Sequence, residues 1–163
     1  MVYHEQLLAT LQSVSPQQAE IMEEEINIMI HKLKFLPKEN FPTVTVCPQN
    51  NGFAPVFSES LSEKVKIAGG QLISDIEEKP KVIIILKSDD SLYSDLPTLL
   101  EQEWLQETPA YRNNRLFIIE IHDFGKDADF LKETEILAEI LQPKYFYFGH
   151  EGDGWIRFDL VHS

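Results

Sequence analysis

Polar and aromatic side chains follow three apolar stretches of the chain, and their chemistry suits ligand binding. Asn50-Asn51-Gly52-Phe53 comes after the first stretch, Lys87-Ser88-Asp89-Asp90 after the second and His122-Asp123-Phe124 after the third. Amide and ammonium groups can hydrogen-bond the polar or carboxylate edge of a ligand, and a phenyl ring can stack on a flat one. The candidate binding residues are therefore Asn50, Asn51, Phe53, Lys87, Asp89, His122, Asp123 and Phe124.

The same loops have a simpler interpretation as turns, because Asn-Asn-Gly and Ser-Asp-Asp are common turn formers that cap the next helix. His122-Asp123 could also be an acid/base pair or two metal ligands, since histidine titrates near neutrality. However, neighbours at a strand end usually point in different directions, and no serine or cysteine nucleophile motif accompanies them. A small α/β enzyme using His122 with Asp123 or Asp89 is therefore the second hypothesis, and no catalytic residue is assigned.

A Gly-rich turn near the C-terminus carries three further donor side chains, His150, Glu151 and Asp153. Metal sites need three or four ligands in a fixed geometry, which the tip of a hairpin does not provide. The glycines of this turn also do not fit the Gly-x-Gly-x-x-Gly pattern of dinucleotide-binding loops. The sequence therefore predicts no metal site and no cofactor.

The apolar run from Lys81 to Leu86 (Lys-Val-Ile-Ile-Ile-Leu) indicates how the candidate loops are positioned. Five consecutive apolar residues cannot alternate between core and solvent, so the run favours a strand that is covered on both faces. Such strands belong to parallel sheets flanked by helices, in which ligands bind beyond the carboxyl ends of the strands. The three loops are therefore expected to share one edge of the sheet.

Two N-terminal helices are predicted, Tyr3 to Val14 and Pro16 to Leu36. Ser15 is expected to cap the second helix, with Gln18 completing a capping box. One apolar stripe runs along this helix at spacings of three and four residues: Ala19, Met22, Ile26, Met29, Leu33 and Leu36. The stripe favours packing on the rest of the domain, and pairing with a partner or a second copy is the alternative.

Strands and helices alternate after residue 42. The predicted strands are Thr43 to Cys47, Val82 to Leu86 and Leu116 to Ile121. The predicted helices are Ser58 to Ile67, which ends at Gly69-Gly70, Pro97 to Leu105 and Asp129 to Leu141. This order is typical of a three-layer α/β domain. We therefore predict an N-terminal helical segment, residues 1–40, and a Rossmann-like α/β lobe with a mainly parallel sheet, residues 41–163, ending in a β-hairpin at 145–160.

Length and charge exclude several classes of partner. The chain has 163 residues, the size of one ordinary domain, and a net charge of −13. Nucleic acids and anionic membranes would be repelled by that charge. The sequence shows no export signal, no apolar stretch of about 18 residues that would span a membrane, and a single cysteine, Cys47. These features together favour a cytoplasmic protein.

Several segments in order resemble the C-terminal lobe of the substrate-binding proteins of ABC importers for iron-siderophores, haem and cobalamin. They are Ala68-Gly69-Gly70, Pro80 to Ile85, Trp104 with Pro109 to Ile119, and Leu137 to Phe146. The helix Pro16 to Leu36 resembles the long helix that joins the two lobes of that family. The resemblance implies a non-catalytic module that binds a metal chelate or a tetrapyrrole along the carboxyl edge of the sheet.

The sequence also departs from that family. No N-terminal lobe of similar size is evident, and residues 124–130 lack the arginine-containing pattern expected there. A single open lobe would bind weakly, so we expect a homodimer in which the Ala19 to Leu36 stripe takes part. A third hypothesis is a structural or regulatory interaction domain that uses the aromatic hairpin Tyr145 to Leu160 as its contact surface.

Overall fold

The computed structural model describes residues 2–121, 124 and 129–160, with the backbone alone for residues 2–4. Five strands form one sheet in the order β2-β1-β3-β4-β5. The strands are β1 Thr43–Pro48, β2 Gln71–Leu72, β3 Val82–Leu86, β4 Leu116–Ile119 and β5 Trp155–Phe158. β1 pairs in parallel with β2 and β3, β3 pairs in parallel with β4, and β5 is antiparallel to β4. The predicted α/β class and mainly parallel sheet are confirmed.

Helices cover both faces of this sheet. They are α1 Val2–Val14, α2 Pro16–Leu33, α3 Glu59–Ile67, α4 Leu92–Leu100, α5 Glu103–Gln106, α6 Pro109–Arg112 and α7 Phe130–Leu141. The predicted start of a helix at Pro97 is wrong, because Pro97 lies inside α4 and the chain turns before α5. Of the helices in the described part of the chain, none is sufficiently long and apolar to cross a membrane.

β3 consists of consecutive apolar residues because each face of the strand packs against a separate hydrophobic core. Val82 and Ile84 pack with α2, α3 and α7, whereas Ile83 and Ile85 pack with α4, α5 and α6. All four side chains are fully buried. Successive residues of a strand point to opposite faces, so both faces of a strand between two helical layers favour apolar side chains.

The apolar stripe of α2 belongs to the core of the same chain. Its members Ala19, Met22, Ile26, Met29 and Leu33 are all buried against α1, α3 and α7. The interpretation as core packing is therefore confirmed, and the prediction that this stripe takes part in a homodimer is wrong. Pro16 occupies the first turn as expected, but the Ser15 side chain makes no capping hydrogen bond.

The predicted hairpin at residues 145–160 is also wrong. β5 is a strand, but Tyr145 to Phe148 are not, and β5 pairs with β4 in the register Ile119 with Trp155. The reason lies in α7, where the buried Glu139 carboxylate accepts hydrogen bonds from the backbone NH groups of Phe148 and the two residues after it. Those NH groups therefore cannot join a strand ladder.

The predicted helix stop at Gly69-Gly70 is confirmed. α3 ends at Ile67, and Gly69 has a φ of +96°, a conformation that glycine adopts without steric cost. A Cβ atom on Gly69 would lie 2.6 Å from Cγ of Gln142, whose Nε2 donates to the Gly69 carbonyl at 2.9 Å. The glycine thus lets the ends of α3 and α7 approach closely.

Candidate ligand-binding site

The strand order places a crevice between the carboxyl ends of β1 and β3. β1 connects to β2 on one side of the sheet, and the chain then crosses to β3 on the other side. In open α/β sheets such a reversal separates the loops that follow the two strands and leaves room for a ligand. The loops concerned contain the 3-10 turn Gln49–Asn51 after β1 and residues 87–91 after β3.

Gln49 spans this crevice and joins the two loops. Its Oε1 accepts hydrogen bonds from the backbone NH of Ser88 at 2.7 Å and of Asp89 at 3.0 Å. Its Nε2 donates to Asp89 Oδ1 and to Ser91 Oγ, both at 3.0 Å. The side-chain amide of Gln49 therefore fills the floor of the crevice, and the backbone NH groups of Ser88 and Asp89 are already hydrogen-bonded to it.

Asp89 is held by hydrogen bonds in the same cluster. Its Oδ1 accepts from the Ser91 hydroxyl, from the Ser91 backbone NH at 2.9 Å and from Gln49. The bonds from Ser91, followed by the bond from Gln49, lower the pKa of Asp89. The exposed carboxylate is therefore an anionic anchor of the loop.

Lys87 is half-buried at the exit of β3, and two carboxylates already neutralise its charge. Its Nζ lies 3.2 Å from Asp90 Oδ1 and 3.6 Å from Glu120 Oε2, and 5.4 Å from the ring centroid of Tyr93. The hydrogen bond to Asp90 is the main reason that the pKa of Lys87 is raised. A carboxylate on a ligand would have to compete with Asp90 and Glu120 for this ammonium group.

A groove of about 510 Å³ opens beside the crevice, on the α4 side of the sheet. Two aromatic side chains line it, Phe53 and Trp104, and both also pack on the core under α4. Polar groups of its wall come from Gln49, Asp95, Thr98 and Gln102. The volume lies within the roughly 300–1,000 Å³ typical of small-molecule sites.

Phe53 enters this groove through an unfavourable backbone conformation. Its φ is +62°, directly after Gly52, which also has a φ of +62°. A bulky side chain in the left-handed region costs on the order of 1–3 kcal/mol, so the surrounding structure must enforce it. Here the Phe53 NH donates to the Pro48 carbonyl at 3.0 Å, and the ring is half-buried on the core.

The remaining predicted residues are placed as follows. Asn50 and Asn51 are exposed beside Gln49, and Asn51 Nδ2 donates to the Ala54 carbonyl at 3.4 Å. Phe124 is half-buried on the core under α7, so it lies on the opposite face of the sheet from Phe53. His122 and Asp123 lie outside the described residues, and their roles stay predictions.

The structure thus brings Asn50, Asn51, Phe53, Lys87 and Asp89 to one edge of the sheet. The residues that the sequence did not single out are Gln49, Asp95, Trp104 and Glu120. Gln49 could have been chosen, since it is the first polar residue after β1. The others come from elements far along the chain, and no local signal identifies them.

His150 in the Gly-rich turn, a potential metal ligand, instead makes a contact that stabilises the fold. His150 Nε2 lies 2.9 Å from Glu135 Oε1, which ties the Gly-rich turn to α7. Among the described residues, no group of three histidine, cysteine or acidic side chains is arranged to hold a metal ion. Cys47 is fully buried in β1, and this burial raises its thiol pKa to about 12, so the thiol is unreactive.

Solved structures that are similar to this chain include binding proteins of ABC transporters. The solute-binding protein from Sulfurospirillum deleyianum has a TM-score of 0.63 and 15% identity, over 88% of this chain and 52% of that chain. The substrate-binding protein from Listeria monocytogenes has a TM-score of 0.66 and 14% identity, over 84% and 64%. IsdE from S. aureus, solved with haem, has a TM-score of 0.62 and 15% identity, over 83% and 64%.

The resemblance to ABC-transporter substrate-binding proteins is therefore confirmed at the level of the fold. The chain spans between 52% and 64% of the length of these three structures. No protein-family model matches the sequence, and no curated protein matches it either.

Proposed function

We propose that this protein is a non-catalytic module that binds a metal chelate in the groove beside the β1/β3 crevice. The observation that carries the proposal is Phe53, which is held in a costly left-handed conformation with its ring in a groove shared with Trp104. Strained residues at the edge of a parallel sheet are typical of ligand sites. The fold is one that binding proteins for metal chelates use, which supports the same ligand class.

The charges at this edge favour a ligand without free carboxylates. Asp89, Asp90 and Asp95 are exposed there, and the ammonium group of Lys87 is already paired with Asp90 and Glu120. An anionic ligand would meet this acidic edge and the net charge of −13. We therefore favour a neutral or cationic chelate with amide or hydroxamate edges, such as a cobalamin or a ferric hydroxamate, over haem with its propionates.

The test is a thermal-shift and calorimetric titration with cobalamin, a ferric trihydroxamate siderophore and haemin. A ligand that binds only the folded protein at 100 times its Kd stabilises it by about 2.7 kcal/mol, a readily measured rise in Tm. We expect a rise with cobalamin or the ferric hydroxamate that exceeds any rise with haemin. No rise with any of the three at millimolar concentration would overturn the proposal.

Matched variants then locate the site. Gln102 and Asn113 both carry exposed amide side chains, but Gln102 lines the groove and Asn113 precedes β4 at the amino edge of the sheet. Gln102→Ala is expected to weaken binding, whereas Asn113→Ala leaves it unchanged. Thr98→Ala in the groove and Thr10→Ala on α1, two exposed helical threonines, form the second pair. Equal effects of both members of each pair would place the ligand elsewhere.

A further inference from the structure

The solvent-facing side of α2 carries a second apolar stripe, which the stripe in the core does not include. Ile21 and Ile28 on α2 are 56% and 43% exposed, and Phe35, in the turn two residues past the end of α2, is 86% exposed. Residues seven apart lie almost one above the other on a helix, so Ile21 and Ile28 share one face, and Phe35 follows in the turn. A shallow groove of about 710 Å³ lies along this face around Ile28.

Charge is distributed unevenly along the same face. Its N-terminal half carries Glu20, Glu23 and Glu24 along the groove, with Glu25 next to them, and its C-terminal end carries His31 and Lys32, with Lys34 just past the helix. A parallel pairing of two copies would set the glutamates against each other. An antiparallel pairing sets the acidic half of each helix against the basic end of the other, so the face is complementary to itself.

The register follows from the same residues. If the two-fold axis passes through Ile28, each Ile28 meets Ile28 of the partner subunit, and each Ile21 lies opposite the turn that holds Phe35 of the partner subunit. Glu24 and Glu25 then lie near the partner's Lys32. Within its own chain, Lys32 Nζ donates to the Tyr145 carbonyl at 3.4 Å, which leaves two of its three N–H donors for a carboxylate. If the axis instead passed between Glu24 and Glu25, each Glu24 would face Glu25 of the partner subunit, and this like-charge contact costs free energy.

We propose that a second copy of this chain docks on this face, forming a two-fold antiparallel dimer centred on Ile28. The surface differs from the candidate ligand groove, and the dimer does not depend on the proposed ligand. One helix from each copy buries less than the roughly 1,600 Å² of a standard interface, so the dimer dissociates in the micromolar range.

Sedimentation equilibrium from about 5 to about 200 µM, without ligand, tests the association. We expect a reversible monomer–dimer equilibrium in the wild type. Ile28→Glu should raise the dissociation constant at least about tenfold, because it places two carboxylates on the axis. Phe57→Glu is the matched control, since Phe57 is also exposed, at 57%, but lies before α3. A wild-type monomer at 200 µM, or equal effects of both variants, would overturn the proposal.

Cysteine cross-linking tests the orientation, since the buried Cys47 thiol does not compete. In the proposed dimer Ile28→Cys lies on the two-fold axis and should oxidise to a disulfide-linked dimer. Ile21→Cys would lie about 21 Å from its own copy, at 1.5 Å per residue, which is far beyond the reach of a disulfide. Cross-linking of both variants would indicate a parallel dimer, and cross-linking of Ile21→Cys alone another register. Either result contradicts the proposal.

Discussion

Helix α7 and the loops at the carboxyl edge both carry clusters of carboxylates, but the two clusters differ in burial. On α7, Glu133 and Glu139 are 3% and 4% exposed, and each is used by a fixed partner. At the carboxyl edge, Asp89 and Asp90 are exposed, so solvent has access to the hydrogen bonds and the ion pair that these carboxylates make. Buried polar groups must be satisfied within the protein, whereas exposed ones can exchange a partner for a ligand.

The acid/base residues that the structure describes on α7 and in the Gly-rich turn are likewise held by partners within the protein. Glu139 accepts from three backbone NH groups and from Trp155 Nε1 at 3.2 Å, so the carboxylate has no free acceptor directed at solvent. His150 is tied to Glu135 in the same cluster. The α7 cluster holds the chain between α7 and β5, whereas the carboxyl-edge cluster is exposed at the proposed site.

The largest effect is expected from the buried ion pair of Lys64 and Glu133. Lys64 is fully buried, and its Nζ lies 2.7 Å from Glu133 Oε1 and 5.4 Å from the ring centroid of Phe130. Lys64→Ala leaves a carboxylate in the core without its main cation, so it should lower the free energy of unfolding by about 3–5 kcal/mol. Urea denaturation measures the loss.

Lys66→Ala on the same helix is the control, because Lys66 is exposed and its loss should change stability by less than about 0.5 kcal/mol. Replacing the pair together, as Lys64→Met with Glu133→Leu, should recover much of the stability, since no unpaired charge remains. If Lys64→Ala were as mild as Lys66→Ala, burial would not explain the difference between the two clusters.

The next effect comes from Glu139. Burial raises the pKa of this carboxyl, but the hydrogen bonds from Phe148, Trp155, Gly149 and His150 outweigh it, so its pKa is lowered overall. Glu139→Gln removes the charge and one acceptor, and it should lower the free energy of unfolding by about 1–3 kcal/mol at pH 7. Glu135→Gln, which loses only the bond to His150, should cost less.

The same group predicts an acid dependence with a defined sign. Because the pKa of Glu139 is lower in the folded protein than in the unfolded chain, its contribution to stability is complete above the unfolded value of about 4.3. The contribution is lost as the pH falls through the lower folded value. Thermal unfolding between pH 7 and pH 3 should therefore show a smaller loss of Tm in Glu139→Gln than in the wild type. Parallel losses would contradict the assignment.

The sequence predicts the parts of this fold that depend on local patterns. The apolar run at 82–86 identifies β3, and the spacing of Met22, Ile26 and Met29 identifies the buried face of α2. The hairpin prediction fails because an acceptor on α7 removes the NH groups of Phe148 and its neighbours from any ladder. Contacts between residues nine or more positions apart, on different elements, leave no periodic signal in the chain.

The candidate site likewise contains residues that local sequence patterns predict and residues that only the structure identifies. Asn50 and Lys87 are predicted because they follow apolar strands, and parallel strands end at one edge. The partners that decide what these residues can do come from later segments: Glu120 beside Lys87, and Trp104 in the groove. The exposed Ile21 and Ile28 of α2 are not singled out from the sequence, because only the structure shows which residues of that helix the core leaves uncovered.

The smallest effect on stability is expected from Gln49, and it tests the carboxyl edge directly. Gln49→Ala frees the NH groups of Ser88 and Asp89 to bond water, so it should cost no more than about 1 kcal/mol. Hydrogen exchange of these two amides should accelerate. Gln102→Ala is the control, because Gln102 lines the same groove but its side chain donates to the Thr98 carbonyl of α4, at 3.4 Å, and does not join the two loops. A loss as large as that of Glu139→Gln would show that the carboxyl-edge cluster is structural, as the α7 cluster is.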